Sequence, residues 1–320
     1  MRAATRGSVL ARWQTDHVAA LLRAVDPGVE VEVVVVETDG DRRQDIPIWQ
    51  MGGKGVFVKE VQAAVLDGRA DIAVHSAKDL PSETHAGLVI GAVPPRADAR
   101  DALVGSTLDG LAPGGLVATG SVRRRAQLAW ARPDLTFTGL RGNIDTRLAK
   151  IPPGGAVVMA LAPLERLGLL DAVAAEHGVE VLDPIVMLPQ VGQGALAIEC
   201  RAVDADGPLG ELLRAIEHTP SRLALDAERG FLNELGGDCD LPAGAHATFG
   251  DGGQLRVEGL IASLDGHTVL RHVRSTEPGP SGGPGGSGGS GGSGADAAAL
   301  GRAVGAYLLH DAGGASLLDR

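Results

Sequence analysis

Aromatic side chains are scarce in this sequence: four Phe, three Trp and one Tyr stand among 320 residues, which leaves Val, Leu and Ala to supply the core. Cysteine is scarcer still. Cys200 and Cys239 are the two present, too few for a disulfide framework and at no spacing that pairs metal ligands, so no metal site is expected and a reducing cytoplasm is the expected location. Basic charge falls short of acidic, with 29 Lys and Arg against 40 Asp and Glu and a formal net charge of -11. Affinity for phosphate backbones and anionic lipid comes from surplus Lys and Arg, so no nucleic acid and no membrane is expected as a partner. Nowhere do about 18 uncharged apolar residues run together, and Met1 to Gln14 has no apolar stretch of signal-peptide length, so neither spanning nor secretion is expected. A Walker loop and a G-x-S-x-G elbow are also missing, which removes P-loop nucleotide binding and the common serine hydrolases.

Glycine is plentiful, at 47 residues with 18 prolines, and the length exceeds what one core sustains, so two or three domains are expected. Arg12 to Val25 has apolar residues at helical spacing and stops at Asp26-Pro27-Gly28, after which Val29 to Glu37 reads as a valine-rich strand. Short apolar runs at Asp71 to Val74, Leu88 to Val93, Leu116 to Ala118, Leu135 to Thr138 and Ala156 to Ala160 alternate with helical stretches such as Val58 to Leu66 and Arg123 to Ala131. That alternation predicts α/β domains with mostly parallel sheets. Past residue 215 the pattern changes. Thr219-Pro220 gives a cap and first-turn signal for a helix to Leu235, ended by Gly236-Gly237; Gln254 to Ser263 and His267 to Ser275 read as a hairpin. Gly279 to Gly294 is nearly pure Gly, Ser and Pro, expected to be flexible, and Ala295 to Leu309 reads as a helix that packs back on this α+β tail.

Three tracts carry polar chemistry. Asp71-Ile72-Ala73-Val74-His75-Ser76-Ala77-Lys78-Asp79-Leu80-Pro81 runs an apolar strand into His, Ser, Lys and Asp, and polar groups at a strand end commonly line a cleft. The plain alternative is a solvated turn. Thr119-Gly120-Ser121-Val122-Arg123-Arg124-Arg125 sets a hydroxyl and arginines where a strand turns into a helix, a place where backbone N–H groups and guanidiniums can hold carboxylates. Leu140-Arg141-Gly142-Asn143-Ile144-Asp145-Thr146-Arg147 repeats the design. Arginines grouped in an acidic chain suit a small polyanion better than a polymer, although an arginine triplet on a helix is often a solvated face.

Together with Ala4-Thr5-Arg6-Gly7-Ser8, Gly52-Gly53-Lys54-Gly55-Val56-Phe57-Val58-Lys59-Glu60, Val191-Gly192-Gln193-Gly194-Ala195 and Gly237-Asp238-Cys239-Asp240-Leu241-Pro242, these tracts resemble the hydroxymethylbilane synthase (porphobilinogen deaminase) family in order and spacing over nearly the whole chain. The resemblance implies two α/β domains shaped like the halves of a type II periplasmic binding protein, with the active site between them, plus a C-terminal α+β domain. The expected division is 1–96 with 191–214, then 97–190, then 215–320. It further implies a transferase that joins four porphobilinogens on a dipyrromethane cofactor held through a thioether to Cys239, then releases linear hydroxymethylbilane by hydrolysis, in tetrapyrrole and heme biosynthesis. Porphobilinogen loses ammonia to give an electrophilic azafulvene, which a terminal pyrrole carbon attacks. One carboxylate placed to offset pyrrole-nitrogen charge and move protons serves this chemistry, and by resemblance it is Asp79.

Lys78, Ser121, Arg123 and Arg124 match family positions that hold the cofactor's carboxylates. Arg6, Ser8, Arg141, Arg147 and Arg166 match those facing substrate or the growing chain, and Gln193 matches a hinge-region position near the site. Arg42 to Gly55 resembles the family's mobile loop, with Lys54 and Phe57 at its far end. A monomer is expected, with a transient hand-off to the next tetrapyrrole enzyme. Three positions depart from the family pattern: Val9 for a common proline, Pro163 for a usual glycine, and Asp238 for a frequent glycine directly before Cys239. A carboxylate there raises a thiol's pKa and slows attachment, which keeps open a homologue unable to load cofactor. A ligand-binding module of the same cleft fold is the other alternative. Cys200, in an apolar run, is expected to be an inert buried residue.

Overall fold

The computed structural model describes residues 1–38, 40, 55, 57–237, 241–277 and 293–318. Strand β1 (Arg2–Arg6) leads at once into helix α1 (Val9–Val25), which begins ahead of the expected Arg12 because Ser8 Oγ accepts from the Ala11 N–H, 3.2 Å, as an N-cap. Ala11, Thr15, Val18 and Leu22 line the buried face of α1 at helical spacing. Strands β2 (Glu32–Val36), β3 (Ile72–Ser76) and β4 (Leu88–Ala92) follow, with helix α2 (Lys59–Leu66) between β2 and β3. The sheet is completed from far along the chain by β10 (Leu196–Arg201), giving the order β2-β1-β3-β10-β4 with β10 antiparallel to both neighbours.

A second sheet repeats this plan. Strands β5 (Asp101–Val104), β6 (Leu116–Ala118), β7 (Thr136–Thr138), β8 (Ala156–Ala160) and β9 (Val179–Val181) take the order β7-β6-β8-β5-β9, and β5 is the strand antiparallel to its neighbours. Helices α3 (Val122–Ala131), α4 (Ile144–Leu148), α5 (Ala162–Arg166) and α6 (Leu170–His177) belong to this lobe. In each sheet the reversed strand is the one the chain enters after crossing from the other lobe. The expectation of mostly parallel sheets is corrected accordingly: half the strand pairings in each sheet are antiparallel.

Helix α7 (Pro208–Ala215) packs Leu213 on the first sheet, and α8 (Thr219–Glu234) opens the tail. The residue capping α8 is His218, with Thr219 inside its first turn. Strands β11 (Ala243–Phe249), β12 (Leu255–Ala262) and β13 (Val269–Ser275) form a three-stranded antiparallel sheet, one strand more than the hairpin expected. Helix α9 (Gly294–Ala306), with a Ser293–Asp296 capping box, runs on into a π-type turn at Tyr307–Asp311, followed by α10 (Ala315–Leu318). Phe231, fully buried, centres this core. Reciprocal glycines let α8 and α9 touch: a Cβ on Gly230 would stand 2.2 Å from the Ala298 carbonyl oxygen, and one on Gly301 1.8 Å from that of Ala227. The fold class is therefore the expected one, two like α/β lobes and an α+β tail. Cys200 is fully buried, as expected.

Candidate active site at the lobe junction

The two lobes and the tail meet around Gly192-Gln193-Gly194, which crosses between the turn after β3 and the segment leading into β5. Both glycines have positive φ, and both are crowded. A Cβ on Gly192 would stand 3.0 Å from the Lys78 nitrogen, and one on Gly194 2.5 Å from the Ala97 carbonyl oxygen. The tail is pinned here by Glu228 of α8, fully buried. It accepts from Arg96 at 2.6 and 3.1 Å, from the Gly192 N–H at 2.7 Å and from the Ala247 N–H at 2.9 Å, and Arg96 Nε donates to the Gln193 carbonyl at 2.8 Å.

Strand β3 ends at Ser76 and tightens into a single 3₁₀ turn over Ala77–Asp79, because the Ala77 N–H leaves the ladder for the Ala195 carbonyl and the Leu80 N–H closes on the Ala77 carbonyl. The turn presents Lys78 and Asp79 at the junction. Opposite, Ser121 caps α3 by accepting from the Arg124 N–H at 3.4 Å, and the first turn of α3 carries Arg123 and Arg124, both buried. Their counter-charge is Asp101, the first residue of β5 and fully buried. Arg123 Nη2 reaches Asp101 Oδ2 at 2.8 Å; Arg124 Nη2 and Nε reach Oδ1 at 2.8 and 3.1 Å. Burial alone would raise the Asp101 pKa, but the two guanidiniums and Gln193 outweigh it and hold the carboxyl at about 2.

The cations show the opposite strain. Burial, then repulsion from Arg124, lowers the Lys78 ammonium to about 8 against the pull of Asp79 and Asp101. Arg147, whose Nε donates to the Gly142 carbonyl at 2.9 Å, is lowered to about 10 by burial and then by Arg124, while Asp79 opposes. Lys78, Asp79, Asp101, Arg124, Arg141 and Arg147 thus act on one another's charge. Arg166, at the end of α5, donates to the Gly194 carbonyl at 2.7 Å and lies 5.9 Å from the Trp13 ring of α1. Arg6 stands over the Phe57 ring at 4.2 Å, at the end of β1. Ser8 serves as a helix cap. Lys54, Cys239 and Asp238 lie outside the described residues, as does most of Arg42 to Gly55.

A small pocket opens beside the junction, lined by Lys78, Ser121, Arg123, Gln190, Arg229 and Leu241 among others. It brings three expected binding residues together with two that the sequence did not single out. Arg229 of α8 clamps the segment after Asp79, donating to the Pro81 and Ser82 carbonyls at 2.8 and 3.0 Å. Arg123 keeps one buried donor, Nε, without a hydrogen-bond partner among the described residues. Ammonium, hydroxyl and guanidinium donors around one cavity form a set suited to carboxylates. Asp101 was also missed; its one signal is an acidic residue opening an apolar run, Asp101 to Val104.

The family model described as porphobilinogen deaminase, dipyromethane cofactor binding domain, matches residues 1–207, and that described as porphobilinogen deaminase, C-terminal domain, matches residues 223–309. A porphobilinogen deaminase of Nitratidesulfovibrio vulgaris (strain Miyazaki F) is 48% identical over 284 residues, covering 87% of each chain. One from Syntrophobacter fumaroxidans is 41% identical over 324 residues, covering 100% of this chain and 97% of its own. One from Brevibacillus brevis is 44% identical over 273 residues, covering 84% of this chain and 86% of its own. Among solved structures, a nutrient binding protein from Burkholderia cenocepacia bound to methionine aligns at 12% identity and a TM-score of 0.40, over 69% of this chain and 93% of that one, a likeness too slight to carry an argument. With both family models matched and relatives this similar across most of its length, the chain belongs to the porphobilinogen deaminase family.

Proposed function

We propose that the junction site condenses porphobilinogen with loss of ammonia, as a transferase of tetrapyrrole biosynthesis making hydroxymethylbilane, with Cys239 as the attachment point of a dipyrromethane and Asp79 as the catalytic carboxylate. The observation that carries this reading is the cavity, where Lys78, Ser121 and Arg123 share a wall with Leu241. Leu241 follows Cys239 by two residues, and two residues of chain reach at most about 7 Å. The ammonium, hydroxyl and guanidinium groups that line it fit the acetate and propionate groups that pyrroles of this class carry.

When bound, the dipyrromethane supplies the nucleophilic pyrrole carbon to which substrate units are joined. The chain's own residues do the rest. Lys78, Ser121, Arg123 and Arg124 hold carboxylates of the primer, and Arg6, Ser8, Arg141, Arg147 and Arg166 hold those of substrate and product chain. Arg166 and Arg147 keep their positions through backbone carbonyls. Asp79, on the 3₁₀ turn beside Lys78, accepts pyrrole N–H groups, offsets positive charge as ammonia leaves, and takes up the proton released when the new bond forms. We read residues 1–96 with 191–214, 97–190 and 215–320 as the three domains, Lys54 and Phe57 as lid residues, and the protein as a cytoplasmic monomer that passes its product to the next enzyme of the pathway. No helix among the described residues is long and apolar enough to cross a membrane.

Intact mass of the purified protein tests the assignment. A dipyrromethane adduct that survives denaturation is expected, and Cys239→Ala should lack it. An adduct on Cys200, whose thiol is buried and pushed upward in pKa by that burial, or an active protein of unmodified mass, would refute it.

A further inference from the structure

Gln193 is fully buried, and its side chain is spent inside the protein. Its Nε2 donates to the Ala99 carbonyl at 2.7 Å and to Asp101 Oδ1 at 2.9 Å. Its Oε1 accepts from Lys78 Nζ at 3.4 Å and from Arg124 Nη2 at 3.5 Å. The amide can be oriented only one way, since two acceptors face one end and two cations the other. The backbone is fixed as tightly: Gly192 packs on the Ala77–Lys78 peptide, Gly194 on Ala97, and the Gln193 carbonyl takes Arg96 Nε. One side chain therefore touches the turn of the first lobe, the β5 entrance and the α3 arginine of the second, from the segment between them.

We propose that Gln193 is a positioning residue that sets Lys78 of the first lobe against the Asp101–Arg124 pair of the second, and so fixes the cation spacing that a ligand's carboxylates meet. It acts through those cations, with an amide whose four hydrogen bonds are all to protein. A neutral amide is the group the place requires. Its oxygen separates two cations that repel each other, and its NH₂ occupies the remaining space on a carboxylate already bound to two guanidiniums. A glutamate would set a second negative charge on Asp101, and an apolar side chain would remove the acceptor that Lys78 and Arg124 share. The ammonium of Lys78, already lowered to about 8, faces Arg124, Asp79, Asp101 and Arg147, so it reports directly on what Gln193 contributes.

The inference rests on the functional reading above, yet its test does not need turnover. The rate of Lys78 acetylation by acetic anhydride, which releases acetate as the amide forms, is followed against pH in full-length protein, by peptide mass spectrometry. Two variants are compared with wild type, Gln193→Met, similar in length but without hydrogen bonds, and Gln193→Glu. Removing the acceptor disfavours the ammonium, so Gln193→Met should lower the midpoint; adding a carboxylate favours it, so Gln193→Glu should raise it, each by at least half a pH unit, or threefold in the equilibrium. If Gln193→Glu does not fold, the Gln193→Met arm decides. Steady-state kinetics should show kcat reduced at least tenfold in Gln193→Met with KM for porphobilinogen within twofold. An unmoved midpoint, shifts of the same sign in both variants, or a tenfold rise in KM with kcat intact would overturn the proposal, the last by showing direct substrate contact. A wild-type protein without the Cys239 adduct would instead overturn the functional reading and leave the Lys78 result standing.

Discussion

Replacing Asp101 by Asn should strip the arginine pair of its counter-charge while keeping the side chain's volume. Asp101 is fully buried, Arg123 is 2% exposed and Arg124 7%, so water cannot take over the carboxylate's role. The size of the effect follows from the depressed pKa of the carboxyl. Asp101 sits at about 2 rather than the ordinary 3.8, and at about 1.4 kcal/mol per pH unit that depression is worth about 2.5 kcal/mol at neutral pH. Leaving two guanidiniums without their partner brings the loss toward the ~3 to 5 kcal/mol seen when one member of a buried ion pair is removed. The sign with pH is fixed. A depressed carboxyl contributes its stability above its unfolded pKa and loses it as pH falls toward the folded one, so the gap between wild type and Asp101→Asn should be full at pH 7, begin to close below about 4, and lose about half of the titration-linked part by about pH 3. Urea unfolding of both proteins at pH 7, 4.5 and 3 measures this, and intact mass should show reduced adduct in the variant. A gap under about 1 kcal/mol at pH 7, or one that does not narrow on acidification, would refute the argument that Asp101 anchors the pair as a charge.

Asp79→Asn keeps the turn's shape but removes charge and proton capacity, so single-turnover incorporation of porphobilinogen should slow by a factor on the order of 10² to 10⁴ with folding retained; elongation at the wild-type rate would move the catalytic carboxylate elsewhere. Asp79→Glu keeps the charge and should retain more activity than Asp79→Asn in the same assay. Trimming Gly279 to Gly292 to a short connector, with the Ser293 cap of α9 kept, should change only loop closure, by about 1 kcal/mol, so steady-state activity should stay near wild type, and a collapse of turnover in a folded, trimmed protein would give that tract a function.

Legibility from sequence followed the strength of the local pattern. Leu116–Ala118 and Ala156–Ala160 were read with the boundaries the structure gives them, because each is a short apolar run between clear turn signals. Strands β5 and β10 escaped, since their identity as reversed strands depends on where the chain returns after crossing between lobes, a tertiary fact that no local period encodes. The same limit governs the site. Arg123 and Arg124 read as ligand arms from their place at a helix start, yet nearly all of Arg124's donors and part of Arg123's are engaged with Asp101, Gln193 and the carbonyls of Leu188 and Val158. Asp101 lies about twenty residues before them, beyond the reach of motif spacing. Arg229 is hidden by the periodicity of α8, where it looks like one more solvated position. Gln193 was placed near the site by resemblance, but which way its amide faces is decided by four groups from three stretches of chain.

An acidic chain that binds polyanions has to confine its positive potential, and the junction shows how. Exposed charges farther apart than about 8 Å are largely screened at physiological salt, so the net charge of -11 weighs little at the buried junction, where Lys78, Arg123, Arg124, Arg141 and Arg147 stand against Asp79 and Asp101. The surplus is costly before a ligand arrives: burial lowers Lys78 to about 8 and Arg147 to about 10, and repulsion from Arg124 adds to both. On the proposed function, incoming carboxylates would raise both pKa values and turn mutual repulsion among the cations into attraction toward the ligand. On that reading affinity comes in part from strain already present in the fold. It also explains why the carboxylate at the centre is fully buried and tied to α3. A solvated Asp101 would compete with the ligand for the arginines, whereas one locked behind them holds their side chains in place.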